Sequence, residues 1–280
     1  MQENKIKVPP IVQKYGYDLP KDTEKVWALD IPVVEIPIED ITWHFSIPFW
    51  GVKDAYYSIT VNDVIKNKDA YPEHYKRIIN SETTYPVDLL DNREINGKLL
   101  MLDGLHRTVK LYLEGQKTIK AHIVSRNLIP QICKDGSILD SLNKIFTANK
   151  KQRICVIATS CAGKSTLVKY FPDALDMDEA LFPLLTKEET DYVCQDIWTE
   201  EIGLFMDNLA KTKLQIKAGH PIFSTVLLDA DLIVFLHIND LKLKERCQKR
   251  GSSFAECKNM QNKIEKELEL CQKKVIKLEM

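Results

Sequence analysis

The stretch that most constrains this fold is "RICVIATSCAGKSTLVKY", residues 153–170. A short apolar run enters a loop of small residues, passes through Gly163-Lys164-Ser165-Thr166 and leaves in a helical pattern. The spacing approaches GxxxxGK[ST], with Ala158 in the place of the first glycine. In that pattern backbone amides and the N-terminus of the next helix wrap phosphate oxygens. The lysine reaches the outer phosphates and the hydroxyl binds magnesium. Such a loop works only when a strand delivers it and a helix leaves it. The residues therefore predict a buried strand, a tight loop and a helix at 164–171. Ser160, Cys161, Ala162, Gly163, Lys164, Ser165 and Thr166 become the expected nucleotide-phosphate ligands, with Ser165 also on the metal. Cys161 reads as a small loop filler, or as a thiol whose pKa the helix dipole lowers.

The residues downstream continue the theme. "DALDMD", "HPIFSTV", "DLIVFLHI" and "VIKL" are strand candidates. Residues 187–218, "LKLKERCQKRG" and 253–274 are helical. Strands alternating with helices imply a parallel sheet of the α/β class. Asp176 and Asp178 close the second strand candidate, and Arg246 and Arg250 stand four apart on one helix face. "HPIFST" lacks an acid at its end, so a metal at the cradle must rely on Ser165 with Asp176 or Asp178.

Ahead of the cradle, "MLDGLHRTVK" (101–110) runs from an apolar strand through Asp103-Gly104 into His106-Arg107 and a helix stopped by Gly115. Free amides, a guanidinium and an imidazole at one helix start form an anion site. Asp103 is placed to cap the helix or hold magnesium. Upstream, "PVVEIPIEDI" alternates as a strand, "YPEHYKRII" is helical with proline at its start, and "YPVDLLDNREINGKLLMLDG" reads as strand, turn at Asn96-Gly97, strand. "TIKAHIVS" is a further strand, and a helix near 138–147 leads to the polar break "TANKKQ". The expected domain boundary is near 148, giving units 1–148, with a mixed N-terminal arm over 1–30, and 149–280.

Composition limits the functions. A net charge of −1 and a pI near 6.6 disfavour a protein that coats nucleic acid. No apolar run approaches the ~20 residues of a membrane span. Seven cysteines without a CxxC pair, behind an N-terminus with no apolar core, read as reduced thiols of a cytoplasmic chain, neither a disulfide framework nor a zinc site.

Residues 153–255 resemble P-loop kinases of the nucleotide and shikimate kinase type. That resemblance implies ATP and Mg2+ as cofactors. It implies Asp176 or Asp178 as the acid that orients magnesium or takes the acceptor proton, Lys164 on the phosphates, and Arg246 and Arg250 as lid cations on the transferred phosphoryl. Residues 27–126 resemble the ParB/sulfiredoxin-like fold, an α+β domain. The Asp-Gly-x-His-Arg turn is similar to that of the free serine kinases of that superfamily. This likeness implies that Asp103, Gly104, His106 and Arg107 hold nucleotide phosphate. It also implies a glutamate near the first strand that activates the acceptor hydroxyl, with Glu39 nearest and Glu35 next. His44 and His74 are candidates for the same pocket, and Trp43, Phe45, Phe49 and Trp50 for a ring-binding wall.

The expected function is an ATP-dependent phosphotransferase with a small-molecule or nucleotide substrate. The N-terminal domain is then a second nucleotide site or a substrate-recognition module. The alternatives are a nucleotide-gated switch and a degenerate, structural P-loop.

Overall fold

The computed structural model of the protein describes residues 9–15, 19–52, 55–195 and 199–280. The chain divides into two compact units between Lys134 and Asp135. The division comes before the expected boundary near 148. The reason is the helix Ile138–Ala148, whose Phe146 meets Phe171 and Phe223 edge-on and so packs within the second unit. The N-terminal arm lies partly outside the described residues. Its described part carries the helices Pro10–Lys14 and Thr23–Trp27.

The first unit holds strands β1 (Val33–Pro37), β2 (Trp50–Val52), β3 (Ala55–Ile59), β4 (Val87–Asn92), β5 (Lys98–Asp103) and β6 (Thr118–Val124). Four of them form a sheet of order β1-β6-β4-β5. β6 runs antiparallel to β1 and parallel to β4, and β5 returns antiparallel along β4. β2 and β3 form a separate hairpin. β1 is shorter than its alternation suggests: after Pro37 the chain winds into a 3-10 helix, Ile38–Ser46. The expected turn at Asn96-Gly97 is a helical turn, Arg93–Asn96, closed by Gly97 at φ +72°. That left-handed backbone suits glycine.

Ile36, Ile41, Leu89, Met101 and Ile119 share one core beneath the sheet. Burying a side chain of this size stabilises by about 1.5–3 kcal/mol. His44 belongs to the interior, with no exposed surface. Its Nδ1 lies 2.6 Å from the Ile41 carbonyl, and its Nε2 accepts the Met101 amide at 2.9 Å. A neutral ring protonated at Nδ1 satisfies both partners. His44 is thus a core group and not the pocket group the sequence suggested.

The second unit holds β7 (Ile154–Ile157), β8 (Leu175–Asp176), β9 (Ile222–Ser224), β10 (Leu232–His237) and β11 (Lys274–Glu279). All five run parallel, in the order β11-β10-β7-β9-β8. The first strand is therefore the middle one. Every residue of β7 is buried, as an unbroken apolar run requires when both faces of a parallel strand are covered. After β7 the chain goes to the β8 edge, returns to β9, then crosses to β10 on the other side. That reversal beside β7 is where parallel sheets leave a crevice at their carboxyl ends. The helix after the cradle is shorter than expected: Lys164–Leu167 is α-helical and Val168–Tyr170 tightens to 3-10. The helices Asp240–Arg250 and Phe254–Glu269 follow β10, and Ile264 of the latter joins the core. Among the described residues no helix is long and apolar enough to cross a membrane.

Burial holds His44 at a pKa of about 4, below the ordinary 6.5, against the opposing Ile41 hydrogen bond. A base with a depressed folded pKa stabilises the fold above its unfolded pKa, and that stability is lost as pH falls toward the folded value. Thermal unfolding from pH 6.5 down to 4 should show a progressive loss of stability, and His44→Asn should remove part of that slope. An unchanged slope would contradict the neutral, buried assignment.

Candidate functional site

The cradle begins where β7 ends. The Ala158 amide donates to the Ser224 carbonyl at 3.1 Å, so the loop leaves the sheet tied to the end of β9. Ala158 is fully buried, and its backbone is outside the left-handed region. Its methyl therefore meets no conformational penalty. The demanding positions come later: Cys161 at φ +62° and Gly163 at φ +95°. A Cβ on Gly163 would lie 3.1 Å from Arg246 Nη1, close enough to press on that side chain. Gly163 caps the next helix without a side-chain hydrogen bond, and its carbonyl accepts the Thr166 amide at 3.1 Å.

Three chemistries meet beside the loop. Lys164 Nζ donates to the carbonyls of Ala158 (3.0 Å) and Thr159 (2.9 Å), folding the side chain back across its own loop. Ser165 Oγ donates to Asp176 Oδ2 at 3.1 Å. Asp176 Oδ1 accepts the Asp178 amide at 3.0 Å, so this carboxylate also caps the helix Met177–Leu181. Burial lowers Lys164 to a pKa of about 8, with Asp176 and Asp178 pulling the other way. Burial, then the neighbouring Asp176 charge, raises the Asp178 carboxyl above its usual range.

These groups line a cleft of about 630 Å³. Arg246 Nη1 donates to the Ala162 carbonyl, and Arg250 and Lys249 line the same wall. The expected loop, acid and lid residues thus converge in one place. Ser160, Cys161, Gly163 and Thr166 line the cleft with them, and buried Ala162 presents its carbonyl to Arg246. Sequence reading missed Thr225, Lys249 and Phe223 as lining groups. They sit just past β9, on the helix Asp240–Arg250 and inside β9, where only the strand order brings them to the cradle. Ser224 takes the place at the end of β9 that carries no acid; its hydroxyl turns to the Val226 carbonyl at 2.7 Å.

The second site lies in the first unit, in a cavity of about 400 Å³ between the ends of β5 and the helix Leu105–Leu113. Asp103, Gly104, His106 and Arg107 all line it. Gly104 sits at φ +101°, and a Cβ there would fall 2.6 Å from Val87 Cγ1 and 2.8 Å from Arg107 Nη2. No larger residue fits this turn. Asp103 does not cap the helix: its Oδ2 accepts from Arg107 Nη2 (3.1 Å) and Trp27 Nε1 (3.4 Å). The carboxylate therefore aims the guanidinium. Arg107 Nε and His106 Nε2 are buried polar atoms without a hydrogen-bond partner. Buried polar atoms are ordinarily satisfied, so an acceptor in this cavity would complete the Arg107 Nε–H.

His106 stacks on Trp50, rings 4.7 Å apart, and His74 also lies parallel to Trp50, at 5.0 Å, and 6.5 Å from His106. Burial, then the charges of Arg77 and His74, lowers His106 to a pKa of about 4, so it is neutral at pH 7. Phe49 lines the cavity; Phe45 and Trp50 pack in the core, and Trp43 lies tilted against His44 under the Lys98 ammonium. Glu39 and Glu35 are exposed, on the 3-10 helix and on β1, and neither lines the cavity. Glu82 does, and so does Lys21. Lys21 Nζ donates to the Leu102 carbonyl, and burial lowers its pKa against the pull of Asp103 and Asp88. Lys21 lies 82 positions before Asp103 in an arm with no motif, which leaves no local signal for it.

No protein-family model matches the chain, and no curated protein is significantly similar to it.

Gly104→Ala should destabilise the first unit more than Gly97→Ala. Gly97 has a left-handed φ but open space around its Cβ position, so alanine there costs on the order of 1 kcal/mol. Gly104→Ala adds an overpacking cost of about 1–3 kcal/mol. Urea midpoints of the two variants measure the difference, and equal midpoints would contradict the packed turn.

Proposed function

We propose that the second unit is an ATP-dependent phosphotransferase. It moves a γ-phosphoryl group to a hydroxyl or phosphate of a small molecule, a nucleotide or a modified base. One observation carries this reading: the Ser165–Asp176 hydrogen bond lies beside Lys164, at the reversal point of a parallel sheet. A hydroxyl and a carboxylate are the hard oxygen donors that suit magnesium. An ammonium and free helix-start amides suit phosphate.

Magnesium–ATP, when bound, supplies the transferable phosphoryl group and the divalent charge that offsets its oxygens. The side chains do the rest. Ser165 and Asp176 would hold the metal. Lys164 exchanges its two loop carbonyls for phosphate oxygens and carries a full positive charge to them. Arg246 and Arg250, from one face of the Asp240–Arg250 helix, close on the phosphoryl group and neutralise developing charge. Asp178, its carboxyl raised above the usual range by burial, takes the proton of the acceptor hydroxyl. The sheet end and the lid helix exclude water, which would otherwise compete with that acceptor.

The N-terminal cavity supports a separate anion-recognition role. Arg107, Lys21 and the free amides at Leu105 and His106 would hold the phosphate of a nucleotide or phosphorylated ligand. Asp103 keeps Arg107 pointed at it.

Transfer from labelled ATP tests the proposal, with a panel of free serine, nucleosides, nucleoside monophosphates and hydroxymethylated DNA. Wild type should label one acceptor class, and Lys164→Ala should label none. Arg246→Ala should lower kcat by about 10²–10³-fold. Transfer that survives Lys164→Ala and vanishes with Arg107→Ala would overturn the assignment and make the N-terminal turn the catalyst. Lys164-dependent ATP binding with no transfer would replace the kinase with a nucleotide-gated switch.

A further inference from the structure

Cys161, Cys247 and Cys257 are 86 and 10 residues apart in sequence, yet their sulfurs all lie within 4.8 Å of one another. Each comes from a different element: the cradle loop, the last turns of the helix Asp240–Arg250, and the first turn of the helix Phe254–Glu269. All three are buried, at 8%, 1% and 4% exposure. The spacing gave no hint of a metal site; the fold brings the thiols together.

Two features distinguish this from three cysteines used as small apolar fillers. The first is the backbone at Cys161. Its φ of +62° is one that glycine adopts freely and a residue with a Cβ pays for, by about 1 kcal/mol. A filler gains nothing from that position, whereas a ligand must carry its sulfur there. The second is the scaffold. Thr159 Oγ1 donates to the Cys257 carbonyl, Arg246 Nη1 donates to the Ala162 carbonyl, and the Ser252 amide donates to the Cys247 carbonyl at 3.0 Å. Each of the three cysteines is thus held in place, directly or through a neighbour, by hydrogen bonds that use none of the sulfurs.

We propose that Cys161, Cys247 and Cys257 form a binding site for one thiophilic divalent cation of the zinc class, joining the cradle loop to the two helices that follow β10. Zinc–thiolate bonds of ~2.3 Å in a tetrahedron set sulfurs about 3.8 Å apart, so the cluster closes by at most about 1 Å on binding. The cation displaces three thiol protons to solvent and leaves a tris-thiolate complex of net charge −1, with a water molecule as fourth ligand. Arg250, three residues beyond Cys247, offsets that charge. The cation would fix the conformation of the loop two residues before Gly163. The proposal requires neither ATP binding nor phosphoryl transfer.

Cobalt(II) is the probe, added to the full, reduced, metal-free chain. One equivalent should produce a near-ultraviolet sulfur-to-cobalt charge-transfer band and the visible bands of a tetrahedral ion. Equimolar zinc should abolish both. Cys247→Ser and Cys257→Ser should each weaken binding by at least roughly tenfold, the loss caused even by groups one step further from a metal. Cys161→Gly removes the ligand while suiting the left-handed backbone, so it keeps the fold, which circular dichroism confirms, and should weaken binding equally. Cys194→Ser, at an exposed cysteine outside the cluster, should change nothing. No charge-transfer band, a band that Cys161→Gly leaves intact, or one that Cys194→Ser removes would each overturn the proposal.

Discussion

The pairing of β7 between β9 and β10 is the constraint on which the second unit depends. Both partners run parallel to it, in registers that place Ile157 beside Ser224 and Phe235. A strand buried on both faces must be apolar, and it must hand its chain to a loop at the carboxyl edge. The neighbouring strands on its two sides, β9 and β10, are reached by opposite crossings, and the reversal opens the crevice beside that loop. Loop, acid and lid cations need no long-range coincidence beyond this. Asp176 arrives because β8 pairs with β9, and Arg246 because its helix follows β10 directly.

The two units present strand-to-helix turns built by one logic with different parts. Each has a strand, a left-handed glycine that serves as an uncapped helix start, and a basic residue in the first helical turn. In the second unit a serine and a carboxylate add two hard oxygen donors beside the lysine. In the first, a carboxylate aims an arginine, and a tryptophan–imidazole stack stiffens the wall. The difference is why metal-dependent chemistry is proposed for the second unit and recognition for the first.

Much of this was legible in the residues because it is local. The cradle, its acids and Arg246 with Arg250 follow from short-range spacing, and the strand order then confines them to one cleft. The Asp103-Gly104 turn was legible for the same reason, though the capping role given to Asp103 was not, because Trp27 and Arg107 compete for its carboxylate. What the sequence hid is long-range. The helix expected near 138–147 falls in the first unit by sequence, yet Phe146 packs against Phe171 and Phe223 of the second. Lys21 and Glu82 reach the N-terminal cavity from segments without periodicity, while Glu39, chosen by its nearness to β1, remains on the outside. Ala158 drew attention as a departure, yet the costly backbone belongs to Cys161. The three thiols converge only through the fold.

Binding of magnesium–ATPγS, measured by calorimetry on the intact chain, addresses the central claim most directly. The cradle account predicts a saturable, magnesium-dependent site of one nucleotide that Lys164→Ala abolishes and Arg107→Ala leaves in place. Binding that persists unchanged in Lys164→Ala would contradict it.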